Sequence, residues 1–472
     1  MRARATSGTH LRYTVSQRKG TLPVNPLRTV SSWSRVSRGQ LVAASVLALS
    51  LVTTSGVVGA AERHTDTPAA ASRADRGWVD TWTAMPQLTE PGNMPPEPFT
   101  GRDSVLVDTT LRQTVHVTAG GSRIRLRFSN AFGTTALPIT RVSVALPLNG
   151  RAGVDAIQPA TTRQVTFSGR QSVTVPAGAQ MVSDPLDFTL RPGSNLTVTA
   201  YLATGQQSLD LTSHPGSRTT SYLVTGDHTR DKDLPGATPV DHWYLLSDVE
   251  VVPGRAGAAA AVLGDSLTDG RGSTTNGNDR WPDQLYDRFR TGSGTAGLAV
   301  LNQAAGGNRV LNDGLGPNAL ARLDRDILAH SGVDWLIVFE GVNDIGTAPA
   351  TAKDQRAVAD DLIAAYEQII VRAHAQDIQV YGATLLPFGG NEGYDDPAGL
   401  REATRRTVNN WIRTSGRFDA VLDFDRAVRD PSDVRRLSPG LQVGDWLHLT
   451  PEGYRKLAAA VPLQLFRTAK TS

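Results

Sequence analysis

At Ala258 the apolar pattern of the chain changes period, and this change constrains the fold more than any other feature of the sequence. Before it, from about Gly77 to Pro253, apolar and polar residues alternate. In "SRIRLRFSN", Ile124, Leu126 and Phe128 alternate with Arg123, Arg125 and Arg127. Side chains with a period of two face opposite sides of a strand, so one face is expected to be buried and the other wet. "TVHVTAGGSRIRLRF" places a Gly-Gly turn between two such runs, and "SVTV", "LDFTL", "LTVTAYL", "SYLVTG" and "WYLLSDVEVV" follow with Gly or Pro between them. That pattern predicts a β-sandwich. The arginine row predicts a solvated strand face that resists edge pairing, with binding of an acidic glycan as the alternative.

From Ala258 onward the apolar runs "AAAAVLGD", "LAVLNQAAGG", "DWLIVFEGVND", "IQVYGATLLPF" and "FDAVLDFD" alternate with longer helical segments. In "AVADDLIAAYEQIIVRAHA", Val358, Leu362, Tyr366 and Ile369 share one helical side. Strands alternating with helices predict an α/β fold with a parallel sheet covered on both faces. Ligands of such sheets sit beyond the carboxyl ends of the strands. Those ends here are Asp265-Ser266, Gly306-Gly307 and Asn343-Asp344.

A chain of 472 residues exceeds the roughly 100–200 expected of one domain, so two folded domains are expected, over 77–253 and 257–470, after a polar linker at 62–76. Residues 1–61 read as a signal peptide: eight Lys and Arg and no Asp or Glu, ending in the apolar "LVAASVLALSLVTTSGVVGAA" with small residues before Glu62. An uncleaved anchor over residues 41–61 is the alternative. Cleavage near Ala61 implies a secreted protein with no stable membrane anchor. The leader also carries the basic balance of the chain, since 40 basic and 45 acidic residues remain after it. No electrostatic case remains for a nucleic-acid partner. The absence of cysteine excludes a thiol nucleophile, a disulfide framework and a Cys-type zinc site.

Ser266 ends the first strand of the parallel sheet, where its hydroxyl can face a substrate. A serine is a weak nucleophile until a base takes its proton, so a histidine must reach it. Of nine histidines, only His448 has a promising setting. "DWLHLTPEGYRKLAAAV" places Asp445 three residues before it and opens a helix just after it, with Thr450 as N-cap and Pro451 in the first turn. Asp445 can hold the imidazole tautomer while His448 acts as base and then as acid. Acyl transfer also needs oxyanion donors. The N–H groups of Ser266 and Gly307 and the amide of Asn343 are the candidates. Gly306 is a rival to Gly307, and Asp425 a rival to Asp445. Ser266 as a mere helix cap, and Asn343-Asp344 as a plain turn, are the structural alternatives. His116, His242, His330 and His374 are expected to be ordinary polar residues, although His242 stands where it could line the cleft. "NDRWPDQL" puts Arg280 and Trp281 at the start of the first helix, with Trp281 expected in the core.

"GDSL" at 264–267, "NQAAGG" at 302–307, "GVND" at 341–344 and "DWLH" at 445–448 stand in the order of the four blocks of the SGNH or GDSL hydrolase family, which the C-terminal part resembles. That resemblance implies a flavodoxin-like three-layer sandwich, preceded here by a jelly-roll-like β-sandwich. It implies Ser266 as nucleophile, Asp445 and His448 as the rest of the triad, and Ser266, Gly307 and Asn343 as the oxyanion hole. No cofactor and no metal are expected. The reading is a serine ester hydrolase acting on carbohydrate or other short-chain esters, with a small molecule or glycan ester as substrate. A lipase or lysophospholipase is the rival within enzymes. A glycan-binding protein with an inert hydrolase domain is the rival from outside them.

Overall fold

The computed structural model describes residues 77–254 and 257–467. The expected signal peptide and linker lie outside the described residues. Among those described, the longer strands before Ala258 are β1 (Val79–Thr83), β2 (Thr109–His116), β3 (Gly121–Ser129), β4 (Arg141–Ala145), β5 (Leu186–Leu190), β6 (Asn195–Leu202), β7 (Ser221–Thr225) and β8 (Leu246–Pro253). One antiparallel sheet runs β1-β8-β3-β5, and another has β7-β2-β6-β4 at its centre. The Gly-Gly turn therefore joins strands of different sheets. Ile124, Leu126 and Phe128 are buried between them with Leu111, Val115 and Val198.

The arginine row departs from expectation. Arg125 and Arg127 stand opposite Glu250 and Asp248 of β8 in register, and each is paired with its carboxylate. Arg127 approaches Asp248 to 3.2 Å. This face is a ladder of cross-strand ion pairs, with the Trp78 ring against Arg125 and the Ser331 hydroxyl bonded to Glu250, and the expected wet surface is confined to Arg123, half exposed beside Asp187.

After Ala258 the chain forms β9 (Ala258–Gly264), β10 (Leu298–Ala304), β11 (Val333–Phe339), β12 (Gln379–Ala383) and β13 (Ala420–Leu422), all parallel, in the order β10-β9-β11-β12-β13. This is the flavodoxin-like doubly wound order. β9 and β11 are buried along their whole length, as strands covered on both faces must be. The helices that matter below are α1 (Ser266–Asp269), α2 (Trp281–Thr291), α3 (Val342–Thr347), α4 (Ala352–His374), α5 (Leu400–Thr414) and α6 (Pro451–Ala460). α4 buries Leu362, Tyr366 and Ile369 against the sheet, with Val358 at the margin. Trp281 is fully buried at the start of α2, and Arg280 forms a capping box with Asp283.

The two parts of the fold are joined along β10, an edge strand of the parallel sheet. Thr118 accepts the N–H of Val300 through its hydroxyl at 3.2 Å, so the edge is met by a side chain of the sandwich. Asp80 of β1 accepts the Ser331 N–H at 2.6 Å and lies 3.1 Å from His330 Nδ1. Asp248 lies 3.5 Å from the same nitrogen. Burial alone would lower the His330 pKa, but the two carboxylates outweigh it and push it up to about 10.

Candidate active site

The carboxyl ends of β9, β10 and β11 open into a cleft of about 620 Å³. β9 ends at Gly264, and Asp265 caps α1 by accepting the Leu267 N–H at 2.9 Å. That cap turns the chain sharply and leaves Ser266 at the first helical position, 6% exposed at the cleft floor. Its Oγ lies 2.8 Å from His448 Nε2. His448 Nδ1 lies 2.6 Å from Asp445 Oδ2, while Asp445 Oδ1 accepts the N–H groups of Leu447 and His448. The turn that permits this puts Trp446 at a φ of 58°, a left-handed conformation that large side chains rarely take. Downstream, Thr450 caps α6 by accepting the Gly453 N–H, and Pro451 occupies its first turn. The loop is thus fixed at both ends.

Electrostatics fit a neutral base and an ionised partner. Burial pushes the His448 imidazole below its ordinary value, and Asp445 opposes that shift only in part. Asp445, where burial favours the neutral acid, is held below the usual carboxylate range by the two N–H groups and the imidazole. Asp425 lies elsewhere: its oxygens meet Arg405 at 3.1 Å, Arg413 at 2.6 Å and Arg429 at 3.1 Å.

Opposite His448 stand the possible oxyanion donors. No acceptor among the described residues takes the N–H of Ser266 or of Gly307. Gly307 has a φ of 75°, a left-handed conformation that favours glycine, and a Cβ there would displace the exposed Leu315 side chain, whose Cδ1 would lie 2.4 Å away. Gly306 also lines the cleft, at a backbone conformation open to other residues. Asn343, near the start of α3, donates one amide hydrogen to the Asn308 carbonyl at 2.7 Å and accepts from Tyr394 Oη at 2.7 Å. Those two bonds fix the amide plane and leave its second hydrogen for the cleft. Asp344 turns away from the cleft and accepts the N–H groups of Val310 and Leu311, both at 2.9 Å, and burial raises it to about 6.

The sandwich supplies the facing wall, through His214, Gly216, Arg218, His242 and Glu90. Of these only His242 was singled out from the sequence. His214 Nε2 lies 2.9 Å from Asp269 Oδ1, and its Nδ1 3.1 Å from the Met85 carbonyl. Tyr394 was also missed. Its loop, "GGNEGYDDPAG", carries no periodic signal, and its partner is 51 residues away. Among the described residues the one group with metal-ligand spacing is Asp80, Asp248 and His330. None of its residues lines this cleft, and Arg127 and His330 already answer its charge.

A serine, a histidine and a carboxylate thus stand in hydrogen-bonding succession at the strand ends of a doubly wound sheet. Residues 262–456 match the GDSL-like Lipase/Acylhydrolase family. The chain is accordingly a carboxylic ester hydrolase. No curated protein matches the chain. Among solved structures it is similar to an acetylxylan esterase from Geobacillus stearothermophilus, with 19% identity, 43% of this chain and 91% of that one covered, and a TM-score of 0.33. A carbohydrate acetylesterase from Sinorhizobium meliloti matches with 16% identity, coverage of 43% and 95%, and a TM-score of 0.32. A GDSL-like lipase from Bacteroides thetaiotaomicron matches with 17% identity, coverage of 43% and 84%, and a TM-score of 0.31.

Proposed function

We propose that the chain is an exported serine esterase that removes short acyl groups, acetyl above all, from carbohydrate or similarly polar alcohols through an acyl-enzyme. The observation that carries the proposal is the relay Ser266 Oγ, His448 Nε2, His448 Nδ1, Asp445 Oδ2, with separations of 2.8 and 2.6 Å across the two hydrogen bonds. As the Ser266 Oγ attacks the ester carbonyl, its proton passes to Nε2 and an Oγ–C bond forms. The carbonyl electron pair moves onto oxygen, where the N–H groups of Ser266 and Gly307 and the Asn343 amide receive it. When the oxyanion collapses, the C–O bond to the alcohol breaks and the alcohol leaves with the proton from Nε2. Water then gives a proton to Nε2, attacks the acyl carbon and releases the acid, and Ser266 recovers its proton.

Acyl length follows from the space beside the donors. Leu315 lies against Gly307, and polar groups suited to sugar hydroxyls, among them Gln87, Asn93, His214 and His242, share the lining with Pro215, Ala305 and Leu447. The basic and then apolar N-terminus supports export. Hydrolysis of aryl esters from acetyl to octanoyl, run beside acetate release from acetylated xylan and pectin, tests the reading. A kcat/KM that falls steadily with chain length, with acetate released from at least one polysaccharide, is expected. Each methylene finding an apolar pocket contributes about 0.8 kcal/mol, so a lipase gives the opposite slope. A long-chain preference without acetate release assigns the chain to the lipase reading.

A further inference from the structure

Two guanidinium groups share the cleft with His448 and take no part in the acyl transfer. Arg218 arrives from the sandwich on a segment docked tightly on α1. His214 of that segment is bonded to Asp269, and a Cβ on Gly216 would fall 1.8 Å from Asp269 Oδ2. The docking leaves Arg218 at a φ of 51°, a conformation uncommon outside glycine that tends to persist where surrounding structure enforces it. Its Nε is buried without a hydrogen-bond partner, and its Nη2 comes no nearer than 3.8 Å to Asp269, whose other oxygen is held by His214. Arg271 follows α1 directly, its N–H donating to the Ser266 carbonyl at 2.9 Å. Its side chain is exposed and makes no ion pair among the described residues.

The other carboxylates of the cleft are engaged by their neighbours. Glu90 accepts from the amides of Gln87 and Asn93, and Asp241 from the Thr220 hydroxyl. A guanidinium with no ion-pair partner, as at Arg271, or one whose single carboxylate stands at 3.8 Å and is already bonded to a histidine, as at Arg218, keeps donors free for an oxyanion on a ligand. His448 must protonate the departing alcohol, and Arg218 and Arg271, which line the same cleft and act on its imidazole through their charge, are assigned to the alcohol part of the ester. We infer that Arg218 and Arg271 form a subsite for an anionic group, a carboxylate or a phosphate, carried by the alcohol moiety of the substrate. The inference rests on the esterase reading above and narrows it to esters of acidic sugars or of similarly charged alcohols.

The test uses the full chain and monoacetylated methyl glucoside, methyl glucuronide and glucose 6-phosphate. The anionic esters are expected to be hydrolysed with a kcat/KM about tenfold above the neutral one, a preference that shrinks with added salt. The faster anionic arm names the anion. Arg218→Gln and Arg271→Gln, each checked for an unchanged melting profile, should cut the anionic-to-neutral ratio severalfold. A ratio near one in the wild type, or one that neither substitution alters, overturns the subsite, and turnover of 4-nitrophenyl acetate in the same preparation leaves the esterase reading standing. If no ester is turned over, the esterase reading fails. Calorimetric binding of methyl glucuronide against methyl glucoside then decides the subsite alone, equal binding or none overturning it.

Discussion

Tyr394 Oη donates to Asn343 Oδ1 across 2.7 Å, so a residue of an irregular loop fixes the side chain proposed as an oxyanion donor. Burial raises the Tyr394 pKa to about 12, so the phenol remains a donor throughout the working range. The Asn308 carbonyl holds the other end of the amide, and the two contacts together prevent its rotation.

Tyr394→Phe is therefore expected to lower kcat by about three- to tenfold, the worth of one net hydrogen bond of about 0.5–1.5 kcal/mol, with KM and the pH profile little changed. Asn343→Ala should cost more, about 10²–10³ in kcat, because the donor itself is lost. Steady-state kinetics on one acetyl ester separates the roles. A change confined to KM in Tyr394→Phe makes Tyr394 a substrate contact.

The pH dependence follows from His448. The base must be neutral, and burial sets its ionisation below the ordinary value of 6.5, so kcat/KM should fall on acidification with a midpoint below that value. Arg271 and Arg218 contribute to the lowering by repelling the imidazolium. Arg271→Gln should therefore move the acid limb upward, by less at high salt because Arg271 is exposed. A limb unmoved by the substitution at low salt would refute the electrostatic account.

His330 bears on stability. Its folded pKa is raised to about 10 from an unfolded value near 6.5, so its contribution is complete below about pH 6.5 and is lost as pH rises through about 10. Melting temperature should decline between pH 7 and 10 in the wild type. His330→Gln should melt lower at pH 7, by the equivalent of about 3–5 kcal/mol for breaking a buried pair, and should decline less over the same window. Parallel curves for the two proteins would contradict the role.

The parallel sheet was legible because strands buried on both faces have an apolar run that ends abruptly. Ser266, Gly307 and Asn343 stand where such runs end in β9, β10 and β11. The relation of Asp445 to His448 was legible because it is local, three residues in one capped loop. Contacts made between the two parts of the fold were not. Nothing in the spacing of His214 and Asp269, 55 residues apart, places one against the other. The arginine row misled because alternation reveals a face without revealing what covers it. Asp248 and Glu250 alternate with Val249 and Val251 in the same period, and that complementary row is the sequence signal that could have paired them with Arg127 and Arg125.

The central claim is covalent catalysis by Ser266, and the most direct measurement is the turnover of 4-nitrophenyl acetate by Ser266→Ala beside the wild type, with circular dichroism to check that both are folded. The account predicts a folded variant whose kcat falls by several orders of magnitude, to the residue left by the oxyanion donors and substrate binding alone. A folded Ser266→Ala protein that retains near-wild-type kcat would contradict it.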